Sequence, residues 1–278
     1  RPLYQVEDLM ILHQKILVYA KYLQLVVQLI LEFMSKEKIN IGIVSKGRLK
    51  EQSEKILVKK KLKIFFDRGE RELIGKVKGR PDISILFLHA REILEQLSIG
   101  NLDIGISGLD LLKESEVNIQ KNIKIEKKLK FGHASLVLAC ANEFIDLFTT
   151  LDLDEVADEY KKKNKSLLKI GTKYPNLTRE FLYSRGVTNF TIVKSLGSTE
   201  LMCAMNTAQL ISDITSSGDT LKQNNLRILN DGEILKSQAC ISSSRKNILK
   251  REKKTVAREP WRVCRWRRQR WWRQRWWQ

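Results

Sequence analysis

The chain has 278 residues, of which 42% are hydrophobic and 30% are charged, and its formal net charge is +19. This hydrophobic content suffices for a buried core, so the composition excludes a disordered chain and allows one large domain or two small ones. The basic excess would favour a nucleic-acid or membrane partner if it were spread evenly. However, residues 251–278 contain eleven Lys/Arg against two Asp/Glu, so nine of the nineteen net charges lie there.

The first 33 residues are strongly apolar, and we expect them to be an extension outside the fold. Lys21 interrupts the apolar run, which falls short of the roughly 18 to 20 residues that a membrane-spanning helix needs. The segment also lacks the small-residue cleavage site of a signal peptide. Met34, followed by charged residues and then a strand, has the pattern of a natural protein start, so residues 1–33 are predicted to be upstream translated sequence.

From residue 39 onward, short β-rich runs alternate with helical patterns, which is typical of an α/β fold built from crossover units. We predict a helix that ends near Val58 and another that directly follows Glu200, together with helices over 91–97 and 153–163. Strands are predicted over 39–44, 83–88, 102–108, 135–139, 169–172, 191–193 and 210–214.

The stretch from Asp213 to Leu221 is the most informative part of the chain for function. An apolar run leads into an acid, then hydroxyl residues and Gly218, and then the pattern of a helix start. Gly218 can adopt positive φ and let backbone N–H groups converge, and Thr220 could cap the helix that follows. A helix N-terminus would then face the anion. We predict a phosphate-binding loop formed by Asp213, Thr215, Ser216, Ser217, Gly218, Asp219 and Thr220.

Asp213 at the edge of this loop is placed to accept sugar hydroxyls or to hold a metal-bound water, which suits a phosphorylated ribose. The alternative is a capped strand-to-helix turn without a ligand. Walker-type spacing and a Rossmann glycine pattern are both missing from the sequence. The loop therefore favours phosphoribosyl binding over nucleotide hydrolysis.

The cysteines and histidines are scattered, with no CxxC pair and no histidine spacing that would complete a metal site. We predict reduced thiols in a cytoplasmic protein, and we assign no protein metal ligand and no nucleophile. The Arg/Trp/Gln-rich segment 251–278 contains all six tryptophans. It could bind membranes or nucleic acid through arginine charge and indole stacking, or it could be a tail read out of frame or added artificially. We predict neither a nucleic-acid nor a membrane partner.

Six motifs, from about Lys38 to Arg245, resemble in order and spacing the ATP phosphoribosyltransferase family of histidine biosynthesis. The resemblance stops where a short-form enzyme would stop, since no counterpart of the long form's regulatory domain follows. The motifs are Ser-Lys-Gly-Arg-Leu at 45–49, Asp-Ile-Gly-Ile-Ser-Gly-Leu-Asp at 103–110, Phe-Gly-His-Ala at 131–134, Thr-Lys-Tyr-Pro-Asn-Leu-Thr-Arg at 172–179, Gly-Ser-Thr-Glu at 197–200, and the phosphate loop with Asn-Asn-Leu at 224–226.

The resemblance implies two α/β lobes of the type II periplasmic-binding-protein kind, with the active site in the cleft between them. Lobe I is expected to comprise residues 37–129 and 223–250, and lobe II residues 130–222. The implied reaction is displacement of pyrophosphate from C1 of phosphoribosyl pyrophosphate by N1 of the ATP adenine, with Mg²⁺ on the pyrophosphate. A short-form enzyme would also require a regulatory subunit similar to a histidyl-tRNA synthetase.

For this reaction Glu200 and Asp213 are the expected catalytic residues, since they would bind ribose hydroxyls and favour a cationic transition state. Lys46, Gly47 and Arg48 are candidates for anchoring the triphosphate or the pyrophosphate, because a forked guanidinium suits phosphate oxygens. Without the family context these charges could equally be solvated on a turn. Arg71 and Asp110 are weaker candidates of the same site, and Asp110 could instead organise the cleft or cap a helix.

The sequence departs from the family pattern after Glu200, where residues 201–207 are bulkier than usual. Gln209 stands where an acid is common, and Val44 stands where a proline is common before the Ser-Lys-Gly-Arg turn. We expect the bulk to narrow the cleft beside the ribose site. The alternative function is therefore a catalytically weakened two-lobed protein that binds a nucleotide or another solute.

Overall fold

Two separate mixed sheets, each with its own helices, make up the part of the chain that the computed structural model describes, namely residues 38–66, 69 and 72–249. Arg71 and the segments 1–33 and 251–278, on which predictions were made above, lie outside the described residues. Among the residues described, no helix combines the length and the apolar character that crossing a lipid bilayer requires.

Lobe I contains a seven-stranded sheet in the order β2-β3-β4-β1-β5-β12-β6. Its strands are β1 (Ile39–Val44), β2 (Ile64–Phe65), β3 (Ile74–Val77), β4 (Arg80–Leu88), β5 (Ile104–Gly108), β6 (Ile123–Lys128) and β12 (Ala239–Ser244). Its helices are α1 (Arg48–Lys59), α2 (Ala90–Ile99), α3 (Leu109–Glu114) and α4 (Val117–Asn122).

Lobe II contains a five-stranded sheet in the order β11-β7-β10-β8-β9. Its strands are β7 (Ala134–Ala141), β8 (Leu168–Thr172), β9 (Phe190–Lys194), β10 (Leu210–Thr215) and β11 (Leu226–Ser237). Its helices are α5 (Thr150–Asn164), α6 (Pro175–Ser184), α7 (Leu201–Ala204) and α8 (Asp219–Gln223).

Both lobes are built on the same strand order. In lobe I, β1 lies between the parallel strands β4 and β5, and β12 then pairs antiparallel with both β5 and β6. In lobe II, β8 lies between the parallel strands β9 and β10, and β7 pairs antiparallel with both β10 and β11. Each antiparallel strand is thus the one that enters from the other lobe. This arrangement confirms the predicted two-lobed α/β fold of the type II periplasmic-binding-protein class.

The chain crosses between the lobes at residues 129–133 and again at Gln238. Hydrogen bonds hold the two crossings together, since the Leu129 N–H donates to the Ala239 carbonyl at 2.8 Å and the Ala239 N–H donates to the Phe131 carbonyl at 3.1 Å. The second crossing lies later than the predicted residue 223, because strand β11 belongs to lobe II. Register shifts along its pairing with β7 interrupt the alternation of apolar residues that would have indicated a strand.

Buried aliphatic side chains form a separate core in each lobe. In lobe I, Ile43 and Ile85 are fully buried on the central strands, and Ile93 and Leu97 of α2 pack on the opposite face of the sheet. In lobe II the corresponding layer contains strand residues such as Ile170, with residues of α5 packed on them. Since each lobe buries its own apolar surface, the cleft between them is free to carry polar residues.

Local signals explain why α5 starts three residues before the predicted position. Thr149 and Asp152 form a capping box, in which the Asp152 N–H donates to Thr149 Oγ1 at 3.3 Å and the Thr149 N–H donates to Asp152 Oδ2 at 2.8 Å. Such a reciprocal pair satisfies two helix N–H groups that lack intrahelical partners. The cap therefore fixes the start of α5 ahead of its first buried leucine, Leu153.

Candidate active site

The carboxyl ends of the parallel strands of both sheets meet at a cavity of about 400 Å³ between the lobes. In open α/β sheets, this crevice beyond the strand ends is where ligands bind. The cavity is lined by Arg48, Leu49, Gln52, Ala90, Gly108, Asp110, Leu111, Gly132, His133, Ala134, Ser216 and Ala239. Three predicted site residues, Arg48, Asp110 and Ser216, are therefore brought together from distant parts of the chain.

The predicted phosphate-binding loop follows β10 and lies on the lobe II side of the cavity. Gly218 has φ +82°, and its N–H donates to Thr215 Oγ1 at 2.9 Å, which closes the turn. The Ser217 hydroxyl donates to Asp219 Oδ2 at 2.5 Å, and the side chains of Ser216 and Ser217 are exposed. Only a residue that tolerates the left-handed region fits at 218, which agrees with the expected use of glycine there.

The helix after the loop begins earlier than the sequence indicated. Helix α8 starts at Asp219, and Gly218 rather than Thr220 occupies the N-cap position without a side-chain capping bond. The predicted cap by Thr220 is therefore wrong, because the positive φ of Gly218 already turns the chain into the helix. Since α8 has only five residues, the loop's N–H and hydroxyl groups, rather than a helix dipole, are the groups available to an anion.

Asp213 and Glu200 form an acidic pair beside the loop. Asp213 lies on β10 and Glu200 at the N-cap of α7, and the Ile214 N–H donates to Asp213 Oδ1 at 2.8 Å. Burial raises the pKa of Asp213 above its usual range, and the negative charge of Glu200 raises it further. The Ile214 N–H, the ammonium of Lys173 and the Thr199 hydroxyl act in the opposite direction. The tertiary structure thus couples two carboxylates that are both partly buried.

The turn after β1 supplies cationic side chains from lobe I. Gly47 has φ +81° and leads into α1, whose first residue is Arg48. Lys46 and Arg48 are both exposed, and Arg48 lines the cavity. A cation in the first turn of a helix is disfavoured by the helix dipole by about 0.3 to 1 kcal/mol. The position of Arg48 therefore favours a role in anion binding over a role in stability.

Asp110 is buried and both of its carboxylate oxygens are used inside the protein. Asp110 Oδ1 accepts a hydrogen bond from Ser237 Oγ at 2.7 Å, and Asp110 Oδ2 accepts one from the Tyr174 hydroxyl at 2.8 Å. Tyr174 belongs to lobe II, so this contact spans the cleft. Gly108, not Asp110, is the N-cap of α3, which excludes the capping alternative. The geometry favours Asp110 as a residue that organises the cleft.

Sequence reasoning missed Lys173, Tyr174 and His133 as site residues. The positive charge of Lys173 lowers the pKa of Asp213, and His133 lines the cavity from the first crossing between the lobes. Burial, followed by the negative charge of Asp110, raises the pKa of Tyr174 above its usual range. All three residues lie in motifs that carried the family resemblance, which was the signal available in the sequence.

Of the bulky residues after Glu200, which are expected to narrow the cleft beside the ribose site, Met202 and Cys203 pack inside lobe II. Met202 Sδ fills the position where a side chain on Gly171 would begin, and it lies against the core of lobe II. Cys203 is buried and its thiol donates to the Gln209 carbonyl at 3.5 Å. Among the described residues that line the cavity, none comes from 201–207. The volume of Met202 and Cys203 is therefore directed into the lobe, whereas Leu201 and Met205 are exposed.

In the described part of the chain, no group of three or more His, Cys, Asp and Glu side chains is arranged to hold a metal ion. Asp213 and Glu200 nevertheless suit a magnesium ion that arrives on a substrate, because Mg²⁺ usually combines one or two carboxylates with phosphate oxygens and water. Burial raises the pKa of the partly buried Asp213 carboxyl, and the positive charge of Lys173 offsets part of this effect.

Fold and site together define a two-lobed α/β protein of the type II periplasmic-binding-protein class, with a polar cleft flanked by a hydroxyl-rich loop and an acidic pair. Residues 89–259 match the family described as ATP phosphoribosyltransferase. The chain belongs to the ATP phosphoribosyltransferase family.

The chain matches the named relatives over nearly their whole length. The chain is 39% identical over 220 residues to an ATP phosphoribosyltransferase of Brucella suis, covering 79% of this chain and 95% of the relative. It is 40% identical over 209 residues to one of Brucella anthropi, covering 75% of this chain and 90% of that relative. A solved ATP phosphoribosyl transferase (HisG:HisZ) complex from Thermotoga maritima contains a chain with 26% identity and a TM-score of 0.60, covering 79% of this chain and 94% of that chain.

Proposed function

We propose that the protein transfers the phosphoribosyl group of phosphoribosyl pyrophosphate to N1 of the ATP adenine, giving N1-(5-phosphoribosyl)-ATP and pyrophosphate in the first step of histidine biosynthesis. The observation that carries this proposal is the position of the Asp213–Glu200 pair beside the hydroxyl-rich loop at 215–220. A module that only binds an anion does not need two acids there, whereas a reaction that develops positive charge on ribose does.

In this proposal the residues act by positioning and electrostatics, because the adenine nitrogen is itself the nucleophile. The loop residues from Thr215 to Thr220 hold the 5-phosphate through N–H and hydroxyl groups. Asp213 and Glu200 bind the ribose hydroxyls, and their negative charge favours the oxocarbenium-like state at C1. Lys46 and Arg48 approach from lobe I and stabilise the negative charge of the triphosphate or of the departing pyrophosphate.

Magnesium is the cofactor we propose, carried by the pyrophosphate of the substrate. When bound, the ion neutralises the charge of the leaving group. Asp213 and Glu200 are the side chains placed to accept hydrogen bonds from its water ligands, which is the mode that Mg²⁺ favours in phosphate-binding sites. The loop itself contributes neutral donors, so a cation on the substrate would offset the acidic pair.

We further propose a hetero-oligomer in the cytoplasm with a regulatory subunit similar to a histidyl-tRNA synthetase. The similarity to a chain solved in a HisG:HisZ complex supports this assembly. Full activity is then expected only when the partner subunit is present.

The test is conversion of ATP and phosphoribosyl pyrophosphate with Mg²⁺ by the full chain, alone and with the partner subunit, with the product detected by mass spectrometry. Asp213→Asn and Glu200→Gln should each lower kcat about 100-fold or more, the size of loss typical for a group that stabilises transition-state charge. Glu180→Gln, on the exposed face of α6 in the same lobe, is the matched control and should retain activity.

Binding of phosphoribosyl pyrophosphate is measured in parallel by equilibrium dialysis. Product from the wild type but not from the two acid variants supports the transferase. Binding without product, with and without the partner, would contradict it and favour a two-lobed binding protein.

A further inference from the structure

Helix α6 of lobe II begins without a cap from its own lobe. Its first residue is Pro175, and Tyr174 at the N-cap makes no side-chain capping bond. The next two N–H groups, of Asn176 and Leu177, have no intrahelical acceptor, as at the start of any helix. Pro175 itself carries no N–H, so these two donors are the ones that need a partner.

Glu114, the last residue of α3 in lobe I, supplies the missing cap from across the cleft. The Asn176 N–H donates to Glu114 Oε1 at 3.0 Å, and the Leu177 N–H donates to Glu114 Oε2 at 3.0 Å. In addition, Asn176 Nδ2 donates to the Glu114 backbone carbonyl at 2.9 Å. The carboxylate is only 7% exposed, and hydrogen bonds to a charged acceptor in such a setting are among the stronger ones.

Neighbouring contacts extend this link in both directions. The Arg91 guanidinium of lobe I donates to the Lys173 carbonyl of lobe II at 2.7 Å. One helical turn before Glu114, Asp110 accepts hydrogen bonds from Tyr174 and from Ser237, which directly precedes the second crossing. Four residues of helix span about 6 Å, so the Glu114 cap holds the lobes together further from the crossing than Asp110 does.

The elements joined by this cap are the ones that carry the two sides of the cavity. Helix α3 follows β5, whose last residue, Gly108, lines the cavity on the lobe I side. Helix α6 follows β8, which pairs with β10, and β10 leads directly into the loop that includes Ser216. A change in the contact between α3 and α6 would therefore change the separation of the two sides.

We propose that Glu114 is a positioning residue, whose carboxylate caps α6 across the cleft and sets the fraction of molecules in which the lobes are closed for reaction. The inference rests on the proposed transferase function for its kinetic readout. If substrates react only in the closed state, the apparent affinity is the intrinsic affinity multiplied by the closed fraction. Weakening the cap then raises KM and leaves kcat at saturating substrate nearly unchanged.

The test variant is Glu114→Gln, which keeps the shape of the side chain but turns one acceptor oxygen into an NH₂ group that faces a backbone N–H. Loss of one charge-assisted hydrogen bond corresponds to about a tenfold change in an equilibrium constant, so KM for both substrates should rise several-fold, up to about tenfold. The control is Glu116→Gln, an exposed acid two residues away that makes no side-chain capping bond. Arg91→Met, which removes the cross-cleft hydrogen bond to the Lys173 carbonyl, should also raise KM, but by a smaller factor.

Small-angle X-ray scattering of the same proteins without substrate provides a readout that needs no activity. Glu114→Gln should have a larger radius of gyration than the wild type and Glu116→Gln, and saturating phosphoribosyl pyrophosphate should reduce the difference. Superimposable scattering curves, or a KM within about twofold of wild type for both Glu114→Gln and Arg91→Met, would overturn the proposal. An inactive wild type would refute the proposed function instead, and the scattering comparison would still decide on the cap.

Discussion

Gly218 offers a direct test of the phosphate-binding loop through Gly218→Ala. The glycine has φ +82°, and a methyl group built there would meet nothing closer than Ile228 Cδ1 at 3.8 Å. The substitution therefore causes no collision, and its cost comes from the left-handed backbone alone, about 1 to 2 kcal/mol. Alanine also lowers the conformational entropy of the unfolded chain, which stabilises the folded state by roughly 0.4 to 1 kcal/mol. The free energy of unfolding should therefore fall by about 1 kcal/mol in total.

A matched control exists in the same lobe. Gly186 has φ +84° and nothing within 4 Å of a built Cβ, but it joins the end of α6 to β9 at the opposite end of the sheet from the cleft. Both Gly218→Ala and Gly186→Ala should therefore lower Tm by about 2 to 4 °C for a folded unit of this size. Differential scanning calorimetry measures this shift directly.

Only Gly218→Ala should change the kinetics. Relief of the strain at residue 218 moves the N–H groups of the loop away from the phosphate, and loss of one hydrogen bond to a charged group costs about 1.5 to 3 kcal/mol. We expect KM for phosphoribosyl pyrophosphate to rise at least about tenfold in steady-state assays. If both variants show the same KM, the loop does not bind the phosphate and the site assignment is refuted.

Three further predictions concern the acidic pair, the cationic turn and the core. Folding raises the pKa of Asp213 above its ordinary value of 3.8, so the folded state binds more protons than the unfolded chain between these two pKa values. The free energy of unfolding therefore falls as the pH rises from the unfolded-state pKa to the folded-state pKa. Asp213→Asn should remove this decline in urea titrations at pH 4 and pH 7; an unchanged decline would argue against the assignment. Arg48→Ala should raise KM for ATP without lowering Tm, whereas Lys55→Ala on the same helix should change neither, and equal effects would count against Arg48. Leu210→Ala should cost about 3 kcal/mol because Leu210 is fully buried, and a cost below about 1 kcal/mol in the same titrations would contradict its place in the core.

The parallel strands were predictable because each has a recognisable apolar run in the sequence. Strand β1 has the predicted bounds, and the apolar runs of β4, β5, β8 and β10 lie in strands as expected, since a buried parallel strand is apolar along most of its length. The lysine-rich strand β6 and the hairpin of β2 and β3 were not predicted. The charged residues of β6 face solvent at one edge of the sheet, where polar side chains are favoured, and β2 at the other edge has only two residues.

Local patterns and ordered motifs in the sequence sufficed for the fold class and the family, and they predicted the phosphate-binding loop. Only the tertiary structure decided the long antiparallel strand β11 and the interior packing of Met202. It also decided the capping of α6 by Glu114, which lies 62 residues away in the chain from Asn176. All three depend on contacts between residues that are distant in the chain, and no local pattern of residues encodes such contacts.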